Sequence, residues 1–171
     1  VSNADSVLAI AELDPKSNNR GVKGGTNTAV QLAIKMNKPV YVWDTSSEQW
    51  HVHTKGGFVV SDTPVLTENC AGVGTRDIES YNVPNKATGK FEPRPQYMGA
   101  DKQAKAEQAI RDVYAKSVLG IETEVDTESS EAIIKRGYKR LEELKKERKG
   151  SHLFNGRWYD YGEFFDIEAK D

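Results

Sequence analysis

Val22-Lys23-Gly24-Gly25-Thr26-Asn27-Thr28-Ala29-Val30-Gln31-Leu32-Ala33-Ile34 reads as a glycine loop running straight into a helix. An apolar run at residues 6–13 precedes it, and a β-branched and aromatic run at 38–44 follows. Strand, glycine loop, helix and strand make a βαβ unit, whose crossover implies parallel strands. Two glycines let the backbone turn sharply and approach a ligand closely. The helix that follows offers unpaired N–H groups and a positive dipole end. Together they form an anion site, most often for phosphate. Thr26, Asn27 and Thr28 add hydrogen-bonding groups for phosphate or ribose oxygens. The alternative is a tight turn packed for structural reasons alone.

The chain has 171 residues, which suits one domain plus an appendage. It carries 24 Lys+Arg against 26 Asp+Glu, for a net charge of -2. That balance argues against a general nucleic-acid binder, which is usually basic. The single cysteine, Cys70, cannot form an internal disulfide, and the expected compartment is the cytoplasm. No apolar run is long enough to span a membrane, and no secretory signal is visible. The chain starts at Val1 rather than Met, as a processed chain or part of a longer product does.

The apolar run at 6–13 suits a strand covered on both faces. Residues 14–23 then form a polar loop at the carboxyl end of that strand, where open α/β sheets place their ligands. The helix is expected over 26–36, with Ala29, Leu32, Ala33 and Met36 on its buried stripe and Val30 and Ile34 beside it. Asp44 ends the next strand on the ligand side. It either accepts a bond from a ribose hydroxyl or caps a turn with Thr45 and Ser46. A hairpin is expected from residues 50–53 and 57–60. His51 and His53 share one face of it, but no third metal ligand lies nearby in sequence, so no metal is expected.

Gly72-Val73-Gly74-Thr75-Arg76-Asp77 reads as a second glycine segment after a short strand end at 70–72. The N–H groups of Gly74 and Thr75, with the Arg76 guanidinium, suit a phosphate. The plainer reading is a glycine turn with a surface arginine. Cys70 reads as core. Residues 80–100 form a long loop with three prolines and no periodicity, of the kind that serves as a lid or binding loop. A helix follows over 101–118 with Ala106, Ile110, Val113 and Ser117 on one stripe.

Beyond a polar linker at 120–130, residues 131–149 form a charged helix with a narrow stripe of Ile134, Tyr138, Leu141 and Leu144, stopped by Gly150. Its basic end, 145–149, is either a nucleic-acid patch or a solvated helix end. Asn155-Gly156 favours a type I′ hairpin turn that sets Leu153 opposite Trp158, and Tyr159, Tyr161, Phe164 and Phe165 give an aromatic tail. Helix plus hairpin is too small to stand alone and must dock on the α/β part, on another chain or on a partner.

These residues carry a resemblance. The stretch Ala4-Asp5-Ser6-Val7-Leu8-Ala9-Ile10-Ala11, the Gly24-Gly25-Thr26 turn, its helix and Lys38-Pro39-Val40-Tyr41-Val42-Trp43-Asp44 resemble the SLOG superfamily. That group holds the LOG "lysine decarboxylase-like" and DprA-type proteins. Small phage and bacterial members are also similar at Ala71-Gly72-Val73-Gly74-Thr75-Arg76 and Gln108-Ala109-Ile110-Arg111-Asp112-Val113-Tyr114. The resemblance covers roughly residues 4–118. It implies an α/β fold, a Rossmann-like parallel sheet with flanking helices over residues 1–119, binding a nucleotide or nucleotide-derived ligand. Residues 120–171 add the linker, the charged helix and the aromatic hairpin.

LOG enzymes cleave the N-glycosidic bond of nucleoside monophosphates with a Pro-Gly-Gly-x-Gly-Thr-x-x-Glu motif. Here Lys23 stands in place of the proline, Asn27-Thr28 in place of Gly-Thr, and Gln31 in place of the glutamate. Gln is no general acid or base at neutral pH. SLOG-type domains usually carry a strand-helix-strand ahead of the Ala-Asp strand. Here the fold is completed by residues 70–114, by another subunit, or by residues outside this sequence.

The leading expectation is a module that binds a phosphorylated small molecule through Gly24, Gly25, Thr26, Asn27, Thr28, Gln31, Asp44, Gly72, Gly74, Thr75 and Arg76, to sense or sequester a nucleotide signal. A second is an N-glycosidase or nucleoside-transferase-type enzyme using Glu12, Asp14 or Asp44. A third is an interaction protein whose tail is the docking element. A homo-oligomer is the expected way to cover the tail's apolar surface.

Overall fold

The computed structural model describes residues 1–118, 129–147, 151–154 and 157–160. In chain order its elements are β1 (Ser6–Ala11), α1 (Thr26–Lys35), β2 (Val40–Asp44), β3 (Gln49–Thr54), β4 (Gly57–Val60), β5 (Cys70–Gly74), β6 (Asn82–Pro84), β7 (Phe91–Pro93), α2 (Ala100–Val118), α3 (Ser130–Glu147), β8 (Ser151–Phe154) and β9 (Arg157–Asp160).

The main sheet has five strands in the order β4-β3-β2-β1-β5. Both β2 and β5 run parallel to β1. The expected parallel sheet is corrected at β3, which runs antiparallel to β2, while β3 and β4 form the expected antiparallel hairpin. Only residues 45–48 separate β2 from β3, too few for a crossover of a dozen or more residues, so the chain must return antiparallel. The fold is α/β with a mixed sheet.

Alternation along the strands builds two cores. Val7, Ala9 and Ala11 of β1 join Val40, Val42, Phe58, Val30 and Ala33 on the α1 face. On the opposite face Leu8 joins Trp50, Ala109 and Val113, with Tyr41, Trp43 and Ile110 packed around them. A strand covered on both faces needs apolar residues at every position, which accounts for the unbroken run in β1.

Three local expectations change. The buried stripe of α1 is Val30 and Ala33, while Leu32 is 45% and Met36 41% exposed. With so many apolar residues the helical period alone did not select a face. The strand expected to end at 72 runs on, so Val73 and Gly74 belong to β5 rather than to a loop. Within 80–100 a short antiparallel ribbon forms, with Val83 opposite Glu92. Its strands of three residues are too short to show alternation.

The charged helix α3 packs along α2. A Cβ built on Gly137 would fall on the Ala115 backbone carbonyl, so the two helices cross at the one position of α3 without a side chain. The Tyr138 hydroxyl donates to Asp112 Oδ1 at 2.8 Å. Ile134, Tyr138, Leu141 and Leu144 are half-buried. The terminal hairpin forms in the expected register, with Leu153 opposite Trp158. Residues 120–128, Gly150, the Asn155-Gly156 turn, Tyr161, Phe164 and Phe165 lie outside the described residues.

Candidate functional site

The glycine turn follows the carboxyl end of β1. Gly24 has φ 75°, a left-handed conformation that a side chain would strain. Gly25 is the N-cap of α1 and supplies no side-chain cap. The N–H groups of Asn27 and Thr28 donate to the Gly24 and Gly25 carbonyls, each at 3.2 Å. Those of Gly24, Gly25 and Thr26 have no partner among the described residues. A Cβ at either glycine would meet nothing within 4 Å, so the backbone is open to a ligand.

The polar side chains beside the turn hold it in place. Asn27 Oδ1 accepts the Val22 N–H at 3.1 Å. Gln31 Nε2 donates to the Arg20 carbonyl at 3.0 Å and to Asn27 Oδ1 at 3.3 Å. The two residues therefore brace the loop they follow. An isolated bridge between Leu13 and Val22 closes the base of that loop. Lys23 Nζ lies 2.6 Å from Glu12 Oε1. Asp14 caps the short turn Pro15–Ser17 through the Lys16 N–H.

Asp44 is 5% exposed at the end of β2. Its Oδ1 accepts the N–H groups of Leu13 at 2.9 Å and Ser46 at 3.4 Å. Its Oδ2 accepts the N–H and hydroxyl of Ser47 at 2.9 and 2.7 Å. Burial raises the carboxyl pKa, but these bonds outweigh it and hold the group below its ordinary value. Its oxygens tie β2 to the end of β1. Next to it, Glu12, Thr45, Ser46, Met98 and Lys102 line a cavity of about 250 Å³ at the carboxyl ends of these strands. Lys102 reaches across from α2 to donate to the Thr45 carbonyl. Its place here was not legible in the sequence, because only the packing of α2 on the sheet brings it near.

The second glycine segment is built differently from a phosphate loop. Gly72 and Gly74 lie within β5, opposite Leu8 and Ile10. The Thr75 N–H, expected to be free, donates to the Ile10 carbonyl at 2.9 Å, and Thr75 Oγ1 accepts the Asp77 N–H. Gly72, Gly74, Thr75 and Arg76 line a cavity on the α2 face with Ile78 and Ile110, whereas α1 packs on the other face. Of the two histidines, His51 is 7% exposed and bonded to the Gln49 carbonyl. His53 meets Phe58 edge-on at 5.2 Å, and burial lowers its pKa. Among the described residues, no group of three or more His, Cys, Asp or Glu is placed to hold a metal ion. No helix among them is long and apolar enough to cross a membrane. No family model, curated protein or solved structure matches this chain.

Proposed function

We propose that this protein binds a phosphorylated small molecule, of nucleotide type, at the Gly24-Gly25-Thr26 turn. The observation that carries the reading is the open, unpartnered backbone of that turn at the start of α1. Its position supports it. β1 leads to β2 on one side and has β5 on the other, so the connectivity changes direction there. In open α/β sheets, ligands bind outside the carboxyl ends of strands at such a switch point. The βαβ unit β1-α1-β2 and the resemblance to SLOG proteins favour a Rossmann-like mode, with phosphate on the helix N-terminus. Gln31, standing where LOG enzymes carry glutamate and engaged with Arg20 and Asn27, favours binding over hydrolysis. The sensing or sequestering role is part of the same proposal.

Calorimetric titration with a panel of mono-, di- and triphosphate nucleosides tests it, with product analysis alongside. Gly25→Asp is the decisive variant. Gly25 already has helical φ and ψ, and a Cβ there meets nothing, so the variant folds. The new carboxylate stabilises the helix end by about 0.3–1 kcal/mol while occupying the anion site. A melting temperature equal to or above wild type, with nucleotide affinity lost, is expected. Unchanged affinity in the folded variant rejects the site. Nucleotide cleavage that Glu12→Gln abolishes would favour the enzyme reading, because Glu12 pairs with Lys23, the residue that leads into the turn.

A further inference from the structure

Lys116 stands in the last turn of α2, half-buried. Its Nζ donates to the Thr63 carbonyl at 2.6 Å and to Ser130 Oγ at 3.0 Å. Burial lowers the lysine pKa, and the Asp62 charge acts the other way. Ser130 is the first residue of α3. The cap of that helix is Ser129, whose Oγ accepts the Ala132 N–H at 3.3 Å. The Ser130 hydroxyl is therefore spare, with Lys116 as its one partner among the described residues. The N–H groups of Ser130 and Glu131 have no partner among them. Ser130 and Thr63 line a cavity of about 530 Å³ whose apolar walls are Trp43, Trp50, Val60 and Ile134. No residue of the glycine turn lines it.

We propose that Ser130 and Lys116 form a nucleophile–base pair that cleaves carboxylic esters with an uncharged, apolar or aromatic acyl group. A serine within hydrogen-bond reach of a base, and a base oriented by a third group, are the marks of an activated nucleophile, and serine–lysine pairs are one such form. Here the Thr63 carbonyl is the orienting group. Once neutral, the amine keeps its donation to Thr63 and turns its lone pair to the Ser130 hydroxyl. Ser130 Oγ then attacks the acyl carbon, and its proton passes to the Lys116 amine. The tetrahedral oxyanion is stabilised by the Ser130 and Glu131 N–H groups and collapses, and the alcohol leaves with that proton. Water, deprotonated by the same amine, releases the acid and restores Ser130. The cavity also carries Glu48, Asp62, Asp112 and Glu131 and no lining cation, which disfavours an anionic acyl group. None of this rests on the nucleotide reading.

Labelling of the full chain with an alkyl fluorophosphonate, read by intact mass and peptide mapping, tests the pair. One adduct is expected, at Ser130. Ser130→Ala should abolish it, whereas Ser61→Ala, on the same cavity, should label like wild type. Lys116→Arg separates a base from a tether between α2 and α3, because guanidinium still donates to both oxygens but stays charged. It should melt with wild type and label roughly 10²-fold slower. Lys116→Gln, smaller than arginine and equally unable to take up a proton, should label as slowly. Hydrolysis of 4-nitrophenyl butyrate should fall in parallel across these variants. A wild-type chain with no adduct at Ser130 overturns the proposal. So does a labelling rate that survives both Lys116 substitutions, since Lys116 would then only tie α3 to α2.

Discussion

The Asp44 carboxylate accepts four hydrogen bonds, from Leu13, Ser46 and twice from Ser47. Asparagine there keeps one acceptor oxygen and turns an amide N–H₂ toward existing donors. Asp44→Asn should therefore cost about 2–3 kcal/mol in a denaturant titration. The pH dependence has a definite sign. A carboxyl whose folded pKa lies below its unfolded value near 3.8 adds stability that is complete above the unfolded value. That contribution drains as pH falls through the folded value. Wild type should thus lose stability below about pH 4 more steeply than Asp44→Asn. Parallel acid limbs for the two proteins would contradict this assignment. At the same scale, Asn27 and Gln31 act through the loop. Gln31→Ala removes the bonds to Arg20 and Asn27. It should raise hydrogen exchange in residues 20–25 with little change in the melting temperature.

Among the elements, α1 shows how burial rather than hydrophobicity sets the energetic weight of a position. Val30 is fully buried beneath the helix, whereas Leu32 is 45% exposed. Val30→Ala should cost about 1–3 kcal/mol through the cavity it leaves. Leu32→Gln should stay within about 0.5 kcal/mol of wild type, although it removes the larger apolar side chain. Equal losses would mean that the outer face of α1 is covered in the native assembly. The α2–α3 contact has the opposite character, because it depends on an absent side chain. Gly137→Ala forces α3 away from the Ala115 carbonyl and should destabilise the helix pair by about 1–3 kcal/mol. Alanine normally stabilises a helix relative to glycine by about 0.5–1 kcal/mol. A loss of stability here is therefore diagnostic of the close crossing.

For the whole molecule, α3 is part of the body and not a tethered appendage. It closes over α2 through Gly137 and Tyr138, and Ile134 lines a cavity with Trp43 and Trp50 at the sheet. Truncation after Val118 should lower the melting temperature and raise binding of an apolar dye. A truncated protein that melts with wild type would place the stability entirely in the first part of the chain. Of the three docking options, the helix takes up the one against the α/β part with Ile134 and Tyr138, its stripe staying half-buried.

Local residues settled most of the elements. The unbroken apolar run at 6–11, the β-branched and aromatic residues at 40–43, glycine at 24 and 25, and proline at 39 each act over a few residues, so strand, turn and helix were legible there. The hairpin β8-β9 was legible for the same reason, because Asn-Gly encodes its own register. Three features depended on residues far apart in the chain. The face of α1 was chosen by the sheet beneath it, since its sequence offers apolar residues on two sides. The role of Gly74 was decided by β1, whose edge extends the strand expected to end at Gly72. The free or engaged state of each polar group was decided last. Asn27, Gln31 and the Thr75 N–H looked available to a ligand, and each has a hydrogen-bond partner within the fold; Asp44, open to either a ribose or a turn-cap reading, caps the turn at Ser46 and Ser47. The N–H groups of Gly24, Gly25 and Thr26 stay open because a helix start has no preceding turn to receive them, a property fixed by where the helix begins.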